Sequence, residues 1–297
     1  MSTKHTMQDT DLFTRPAAIT EVALAAALDG ADLPEHLLEA ARWSVLGGGK
    51  RLRPALVILS CEAVGGRTDH AVHAAVALEL IHCFSLVHDD LPALDNDELR
   101  RGRPTLHIKA GEPMAILAGD LLISMAFQQL MDSPMDVATK CSLVSELAGG
   151  TSSMVIGQVY DTLGGLPDDL EPHQQLQLVH RNKTGALLRA ACRMGAFCGM
   201  ADAGWSQCLS EYGEAVGLMF QVVDDLLDVT QTTEHLGKAA GKDEEMGKIT
   251  FPGLLGIEES RRVVMELEQQ AIRALEPLGP AADPLRDLGR FMAIRTK

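Results

Sequence analysis

The sequence predicts an all-α protein in which about ten helices pack as a single domain. Apolar residues recur at helical spacing along most of the 297 residues. Hydrophobic residues make up 46% of the chain but aromatic residues only 4%, and this composition, rich in alanine, leucine, valine and methionine, favours helices over sheets. No alternating run is long enough to predict a strand, and no low-complexity linker divides the chain.

Helices are expected where this periodicity continues between clusters of glycine and proline. Their ranges are 19–28, 35–46, 54–64, 70–90, 113–131, 136–162, 172–199, 205–229, 250–276 and 284–295. The interruptions carry residues that end helices, as in segments 47–49, 164–167 and 237–247. One domain is expected to span residues 1–297, and its polar first residues, 1–16, are expected to be flexible.

The net charge and the cysteines argue against several classes of function. Basic residues number 26 and acidic residues 41, a formal net charge of −15 that argues against nucleic acid as a partner. The six cysteines occur singly in apolar stretches, which is typical of buried thiols rather than of zinc or redox sites. The N-terminus lacks the apolar core of a signal peptide and no long uninterrupted apolar run occurs, so a cytoplasmic protein without a membrane span is expected.

Two clusters of aspartate are the most informative feature of the sequence. Residues 89–95 read Asp-Asp-Leu-Pro-Ala-Leu-Asp and residues 224–228 read Asp-Asp-Leu-Leu-Asp, each after a long apolar helical stretch. Carboxylates crowded against an apolar wall are costly unless cations neutralise them. Two such clusters at one mouth of a bundle form a cage of hard oxygen ligands, which suits Mg²⁺ and the phosphates that it binds. The sequence therefore predicts an enzyme that handles diphosphates.

The spacing within the two clusters differs. Asp224 and Asp228 are four residues apart, so one helix face presents both. Asp89 and Asp95 are six residues apart, about 240° around an ideal helix. They can share a metal only if the helix ends between them, and Pro92 lies where such a break is expected.

The basic residues are concentrated in two short segments. Residues 48–54 read Gly-Gly-Lys-Arg-Leu-Arg-Pro, so the backbone can approach an anion closely while Lys50 and Arg53 close on it. Residues 100–103, Arg-Arg-Gly-Arg, follow the first aspartate cluster, and arginine forks bind phosphate oxygens in pairs. Taken alone, the first segment could also be a basic helix cap and the second part of a surface network of acids and bases.

Together these motifs resemble those of the trans-isoprenyl diphosphate synthases. Residues 82–97 with 99–102 resemble the first aspartate-rich motif of that family, and residues 220–228 resemble the second. Further matches in order and spacing are residues 48–54, Lys183-Thr184-Gly185 and Gly241-Lys242-Asp243. The resemblance covers roughly residues 40–260 and implies a helical bundle around a central cavity. A two-residue insertion in the first motif is similar to the bacterial farnesyl and the bacterial or plant geranylgeranyl types.

The resemblance implies a role for each matching residue. The leading ligands of three Mg²⁺ ions would be Asp89, Asp95 and Asp224, assisted by Asp90 and Asp228. The allylic diphosphate would be held by Arg100, Lys183 and Lys238. The diphosphate of isopentenyl diphosphate would be held by Lys50, Arg53, His82 and Arg101. Thr184 and Gln221, with Lys183, would lie beside the developing allylic cation.

Several residues also have a simpler interpretation. His82 taken alone is typical of a core histidine, and Lys183-Thr184-Gly185 of a helix kink with a surface lysine. Gln158 and Asp161 match a family segment too, but structural hydrogen bonding explains them equally well. His88 can orient the Asp89 carboxylate.

The implied reaction is head-to-tail transfer of an allylic group to isopentenyl diphosphate. Phe84, five positions before Asp89, lies with Ser85 on the expected path of the growing chain, and its bulk favours the C15 product, farnesyl diphosphate. Segment 229–243 is closer to geranylgeranyl diphosphate synthases, so C20 is the alternative product. A class I terpene cyclase, a non-catalytic partner subunit and a purely structural bundle are less favoured because both aspartate clusters and both basic segments are intact. By resemblance, a homodimer is expected.

Overall fold

The computed structural model describes residues 11–230 and 249–295 and confirms the predicted all-α architecture. Its first elements are α1 (Asp11–Asp29), α2 (Glu35–Val45), α3 (Leu52–Ala63), α4 (Thr68–Asp89), strands β1 (Leu99–Arg100) and β2 (Arg103–Pro104), α5 (Leu106–Ala110), α6 (Glu112–Met131) and α7 (Val137–Leu163). There follow α8 (Pro172–His180), a π-helical turn (Arg181–Gly185), α9 (Ala186–Cys198), α10 (Ala203–Thr230), α11 (Phe251–Leu255), α12 (Ile257–Ala274), a 3₁₀ segment (Glu276–Ala282) and α13 (Asp283–Ile294).

Helix α4 forms the centre of the bundle, as its apolar sequence predicts. Helices α3, α6 and α9 pack on it, and Leu78, Leu80 and Ile81 in its middle are fully buried. Helix α10 packs against α9 and α12. Because α4 ends at the first aspartate cluster and α10 carries the second near its end, the core places both clusters beside the cavities described below.

Side-chain caps fix the beginnings of several helices. The carboxylate of Asp136 accepts a hydrogen bond of 3.0 Å from the backbone N–H of Thr139 at the start of α7. Glu171 and Gln174 form a reciprocal capping box at the start of α8. The hydroxyl of Thr250 accepts from the N–H of Gly253 and begins α11 directly after the segment that is not described.

Helix α1 begins at Asp11, eight residues before the predicted start, so residues 11–16 of the segment that is expected to be flexible are helical. Contacts from distant parts of the chain stabilise this turn. The ring of Phe13 packs edge-on against Phe291 of α13, with 5.5 Å between centroids, and Arg15 pairs with Glu62 of α3. Local sequence cannot reveal such partners, and Pro16 argues for a later start.

Two predicted helices are interrupted, and a hairpin was not predicted. The expected helix 172–199 contains the π-helical turn, and the expected helix 250–276 is divided at Gly256, whose φ of 83° is left-handed. In the hairpin, β1 and β2 are joined by Arg101 and Gly102, with φ of 53° and 72°. Two left-handed residues are what a tight hairpin turn requires, but strands of two residues leave no periodic pattern to read.

Helices α4 and α6 are long and apolar enough to cross a membrane by length and composition. In the structure, α4 is the buried centre of the bundle and α6 packs along it, with more contact to α4 than any other element has. Packing in the core of the bundle therefore explains the hydropathy of α4, whereas only the inner face of α6 is covered.

Candidate active site

The first aspartate cluster begins where α4 ends. The helix stops at Asp89, and the chain then turns so that the N–H of Asp95 donates to the backbone oxygen of Asp89 at 2.9 Å. Burial raises the pKa of Asp89 to about 6, while Lys183 opposes the shift and the nearby Asp95 adds to it. The break brings Asp95 back towards Asp89, although they are six residues apart in sequence.

Asp90 is buried and forms an ion pair with Arg100. Its side chain is 5% exposed, and Arg100 of β1 donates to it from Nε at 2.8 Å and from Nη2 at 2.6 Å. The pKa of Asp90 is raised by burial, against the opposing effect of Arg100. The pair fixes the guanidinium of Arg100 at the cavity wall.

The glycine-rich segment and the hairpin meet through Arg101. Arg101 donates to the backbone oxygen of Gly48, and Gly49 has a φ of 133°. A Cβ on Gly49 would lie 2.6 Å from Nη1 of Arg101, and the positive φ of Gly49 is a backbone conformation that favours glycine. The tip of the hairpin and residues 48–49 therefore form one wall.

The three cations of residues 50–53 point in different directions. Arg51, in the left-handed region with φ of 51°, is turned into the core, where it pairs with Glu21 and Glu79, each at 2.7 Å. Lys50 is exposed, and its ammonium lies 5.9 Å from the ring centroid of Phe291. Arg53 lines the cavities, and its buried Nε has no hydrogen-bond partner among the described residues. All three border the larger cavity, but Arg51 is bound in its two ion pairs with glutamates.

His82 lies among arginines on the α4 wall. Burial holds its pKa well below the usual range, and Arg53 and Arg101 lower it further. A neutral imidazole retains one N–H group that can donate to an anion. Its position at the cavity argues against the interpretation as a core histidine.

The π-helical turn carries Lys183 and Thr184 into the site. Lys183 donates to Asp161 of α7 at 2.6 Å, and the hydroxyl of Thr184 donates to Oε1 of Gln221 of α10 at 2.5 Å. Glycines let the neighbouring helices close on this turn: a Cβ on Gly157 would lie 2.2 Å from the backbone nitrogen of Lys183. Lys183 therefore borders the smaller cavity and is held there by α7.

The second aspartate cluster divides between the cavity and the core. Asp224 lines the larger cavity, and Arg295 donates to its Oδ1 at 2.5 Å while the Arg295 guanidinium stacks on Phe220. Burial raises the pKa of Asp224, and Arg295 opposes the shift. Asp228, one turn further along α10, is half-buried.

Asp225, in contrast, is buried and bound to the backbone. It accepts from the N–H of Phe251 at 2.9 Å, and Nε2 of His180 lies 3.3 Å from the same oxygen. The ring of His180 stacks on Phe251 at 5.6 Å. This contact joins α8, α10 and the start of α11, so Asp225 holds the start of α11 against the bundle.

Two adjoining cavities contain most of the predicted site residues that the structure describes, whereas Asp90, Asp95 and Asp228 border neither. The larger, of about 860 Å³, is bordered by Lys50, Arg53, Arg100, Arg101, Gln221 and Asp224, with Phe291 and Arg295 of the C-terminal region. The smaller, of about 320 Å³, runs between α4 and α7 and is bordered by Asp89, Lys183, Phe84, Ser85, Met154 and Gln158. Arg53, His82, Leu86 and Thr184 border both. The structure thus joins a polar, cationic compartment to a narrower one with an apolar end.

Phe84 borders the smaller cavity but is only 8% exposed. Its ring packs edge-on against His88, with centroids 5.2 Å apart and an interplanar angle of 88°. His88 in turn lies over Gly119 of α6, where a Cβ would be 2.1 Å from its Nε2. His88 therefore holds Phe84 in place, in addition to lying next to Asp89 in the sequence.

Lys238, the remaining predicted ligand of the allylic diphosphate, lies outside the described residues.

The residues present fit Mg²⁺. The acids at the cavities offer hard carboxylate oxygens, and the raised pKa values of Asp89 and Asp224 follow from buried charge without enough compensation. Among residues 11–230 and 249–295, no three histidine, cysteine or acidic side chains converge as a ready-made metal site. Ligands from a bound diphosphate would complete the coordination, as is common for Mg²⁺.

Asp225 and His180 are parts of this region that sequence reasoning missed, whereas the basic tail with Arg295 suggests a cap on the site but no specific partner for it. Arg295 lies near the end of the chain and matches no motif, and its only signal is a basic C-terminus. Asp225 stands inside the second cluster, where its sequence context does not distinguish it from Asp224.

Comparisons with known proteins agree with the resemblance. A profile of the family described as polyprenyl synthetase matches residues 34–276. Geranylgeranyl pyrophosphate synthase 11 of Arabidopsis thaliana, a chloroplastic protein, is 45% identical over 272 residues, which covers 88% of this chain and 75% of the relative. The chloroplastic geranylgeranyl pyrophosphate synthase of Capsicum annuum is 43% identical over 289 residues, with 93% and 78% covered.

Solved structures show the same fold. A geranylgeranyl pyrophosphate synthetase from Pyrococcus horikoshii superposes with a TM-score of 0.86 at 32% identity, over 96% of this chain and 98% of the other. An FPP/GFPP synthase from Zymomonas mobilis superposes with a TM-score of 0.83 at 33% identity, over 96% and 100%.

Proposed function

Because this chain belongs to the polyprenyl synthetase family and is a prenyltransferase, we propose that it extends allylic diphosphates with isopentenyl diphosphate to the C20 product, geranylgeranyl diphosphate. The observation that carries the proposal is the pair of adjoining cavities. The larger has a cationic wall, the smaller has an apolar end, and each is bordered by an aspartate of one of the two clusters. A polyprenyl diphosphate synthase needs two diphosphate sites and one tunnel for the chain.

In this proposal the smaller cavity binds the allylic substrate. Lys183, held by Asp161, binds its diphosphate within this cavity, and Arg100, held by Asp90, reaches it from the border of the larger cavity, close enough to Asp89 to lower the pKa of that carboxyl. Lys238 is proposed to join them. The apolar end between α4 and α7 receives the isoprenoid tail. When bound by Asp89, Asp95 and Asp224, with Asp90 and Asp228 in support, three Mg²⁺ ions would neutralise the charge of the leaving diphosphate.

Isopentenyl diphosphate binds in the larger cavity. Lys50, Arg53 and Arg101 supply positive charge for its diphosphate, and neutral His82 supplies an N–H donor. The unpartnered Nε of Arg53 is a buried donor that a phosphate oxygen would satisfy. The alkene then faces the allylic carbon across the residues that both cavities share.

The reaction requires no side-chain nucleophile. The allylic C–O bond breaks, its electron pair leaves with the diphosphate, and the alkene of isopentenyl diphosphate attacks the cation. The Thr184 hydroxyl oxygen and the Gln221 amide, bonded to each other at 2.5 Å, present dipoles to this charge. Loss of a proton to the released diphosphate forms the trans double bond.

Two observations point to different product lengths. The relatives at 43–45% identity are named geranylgeranyl pyrophosphate synthases, which supports C20. Phe84 favours C15, the product that the sequence alone predicts, because it narrows the tunnel about 7.5 Å along α4 from Asp89 at the helical rise of 1.5 Å per residue. Its ring is mostly buried against His88, which supports a tunnel that continues beside it.

Product analysis separates the two lengths. Purified protein is incubated with Mg²⁺, isopentenyl diphosphate and, in turn, the C5, C10 and C15 allylic diphosphates. We expect C20 from all three starters. A product that stops at C15, with no turnover of the C15 starter, would assign the farnesyl reaction, and Phe84→Ala should then release chains longer than C15. No condensation with any starter would contradict the enzyme assignment.

The assembly and the compartment remain predictions. A homodimer is proposed from the resemblance and from an exposed apolar face on α6, which includes Ile116, Leu117 and Met131 at 44–58% exposure. The sequence favours the cytoplasm, whereas the plant relatives are named chloroplastic.

A further inference from the structure

Helix α7 presents three residues to the site, Gly157, Gln158 and Asp161, of which the first and the third contact the π-helical turn. Gly157 lets the helix approach the backbone of Lys183, and Asp161 accepts a hydrogen bond from the Lys183 ammonium at 2.6 Å. Gln158 lies beside Gly157 on the cavity side and borders the smaller cavity. The first and third contacts are explained by the turn they hold, but the position of Gln158 is not.

The amide of Gln158 is buried without a partner. Both Nε2 and Oε1 are shielded from solvent, and neither forms a hydrogen bond with any described residue. A buried amide that lacks partners costs stability, and such groups in folded proteins call for an explanation. A methionine of similar size would fill the same space without this cost. The amide therefore suits a ligand that enters the cavity.

The neighbours of Gln158 indicate which part of a ligand reaches it. One helical turn towards the mouth lie Asp161 and Thr162, beside Lys183 at the charged end of the cavity. One turn in the other direction lies Met154, which is buried, at the apolar end. Gln158 thus lies between the charged end and the apolar end of the cavity. In a ligand with an ionic head and an apolar tail, the atoms that join the head to the tail would lie beside it.

We propose that Gln158 is a further catalytic residue of the prenyl transfer, an inference that rests on the proposed function. Its carbonyl oxygen faces the allylic carbons, and its amide N–H donates to the oxygen that bridges carbon and phosphorus. As the C–O bond breaks, positive charge grows on the carbons and negative charge on that oxygen, so both ends of the amide gain a partner together. Gln158 itself neither gains nor loses a proton.

Because both contacts strengthen only as the bond breaks, the residue acts on the transition state more than on substrate binding. Its loss should lower kcat and leave affinity for an unreactive substrate almost unchanged. Removing an unpartnered buried amide should also not destabilise the free protein. A purely structural glutamine predicts the reverse: lower thermal stability, with kcat following the loss of folded protein.

The test compares Gln158→Met with Gln269→Met, a control on the exposed surface of α12. With geranyl diphosphate as starter, Gln158→Met should lower kcat 10- to 100-fold, as expected for a hydrogen bond to a charged group. Its Kd for geranyl thiolodiphosphate, whose bridging sulfur resists ionisation, should stay within about threefold of wild type, and its Tm should not fall. Gln269→Met should match wild type in all three.

A second variant keeps the test decisive. Gln158→Glu keeps the size and polarity but places a carboxylate beside the leaving diphosphate, so its kcat should also fall at least tenfold. Wild-type kcat in both variants, or a lower Tm in Gln158→Met with kcat reduced only in proportion to the folded fraction, would overturn the inference. An inactive wild-type protein would instead overturn the proposed function, and this inference with it.

Discussion

Asp89 carries a charge that is costly to the folded chain without a metal. Its pKa is raised from 3.8 to about 6, first by burial and then by Asp95, despite the opposing effect of Lys183. The folded state therefore holds the Asp89 proton more tightly than the unfolded state does. Ionisation of this side chain therefore lowers the free energy of unfolding, and binding of a cation to the carboxylate raises it again.

The pH dependence of stability tests whether the ionised Asp89 carboxylate destabilises the folded chain. Without metal, stability should fall by about 1–3 kcal/mol as the pH rises from about 4 to about 6, because a raised carboxyl pKa destabilises the fold above the unfolded value. Asp89→Asn should remove this contribution and abolish turnover. The measurement is chemical denaturation with a chelator at both ends of the range, for wild type and variant. Equal slopes in the two proteins would contradict the prediction.

The chemistry of individual residues could be predicted from sequence, but not which acids face the cavity. Asp89 and Asp224 border the cavities, whereas their neighbours Asp90 and Asp225 are bound to Arg100 and to the N–H of Phe251. The side chains are chemically identical. Only the hairpin and the start of α11, which are distant in sequence, decide the direction of each.

At the scale of elements, the site depends on how closely α7 approaches the π-helical turn. Gly157 lies against the backbone of Lys183, and Gly217 of α10 approaches Gly185 of the same turn, where a Cβ would be 2.7 Å from the Gly185 Cα. The turn is thus clamped between two helices at glycine contacts. Its irregular geometry is a consequence of tertiary packing, which is why helical periodicity predicts an uninterrupted helix over 172–199.

Gly157→Ala should open this clamp. The added methyl would meet the Lys183 backbone at 2.2 Å, and overpacking of this kind costs about 1–3 kcal/mol. We expect lower stability and a weaker affinity for the allylic diphosphate, because Lys183 moves. Gly149→Ala is the matched control, since it lies on the same helix with nothing within 4 Å of its added Cβ. That change should stabilise by about 0.5–1 kcal/mol through helix propensity.

Thermal unfolding and the Kd for geranyl thiolodiphosphate report on both variants. If Gly157→Ala proved as stable as Gly149→Ala and bound the analogue as tightly as wild type, the clamp would have no role in placing Lys183.

The hairpin illustrates the same limit of sequence reasoning. Its turn has positive φ values at Arg101 and Gly102, and its arginines contact distant residues: Arg101 donates to Gly48 and Arg100 donates to Asp90.

At the scale of the whole molecule, the exposed face of α6 is the feature that the bundle itself does not explain. Its inner face packs on α4, yet Leu117 is 58% exposed and Met131 is 56% exposed. The overall architecture could be predicted because apolar periodicity reports burial. Apolar periodicity does not indicate whether an apolar residue is covered by its own chain or by a second copy of the chain.

Leu117→Glu tests the proposed homodimer. A charge placed at the centre of an apolar interface loses its hydration without a partner, so the variant should be monomeric. Light scattering after size exclusion should give half of the wild-type mass. Val22→Glu, at an exposed position of α1 with 72% exposure, should keep the wild-type mass. A wild-type protein that is itself a monomer would contradict the proposed assembly.

The four residues that border both cavities, Arg53, His82, Leu86 and Thr184, also bear on the timing of repeated elongation. In the proposed arrangement, each new product carries the diphosphate that arrived with isopentenyl diphosphate, so its head group begins on the far side of this shared border. Another round requires that head group to cross to the allylic side before the molecule escapes into solvent. Final chain length then depends on processivity, the ratio of crossing rate to escape rate, as well as on the depth of the tunnel.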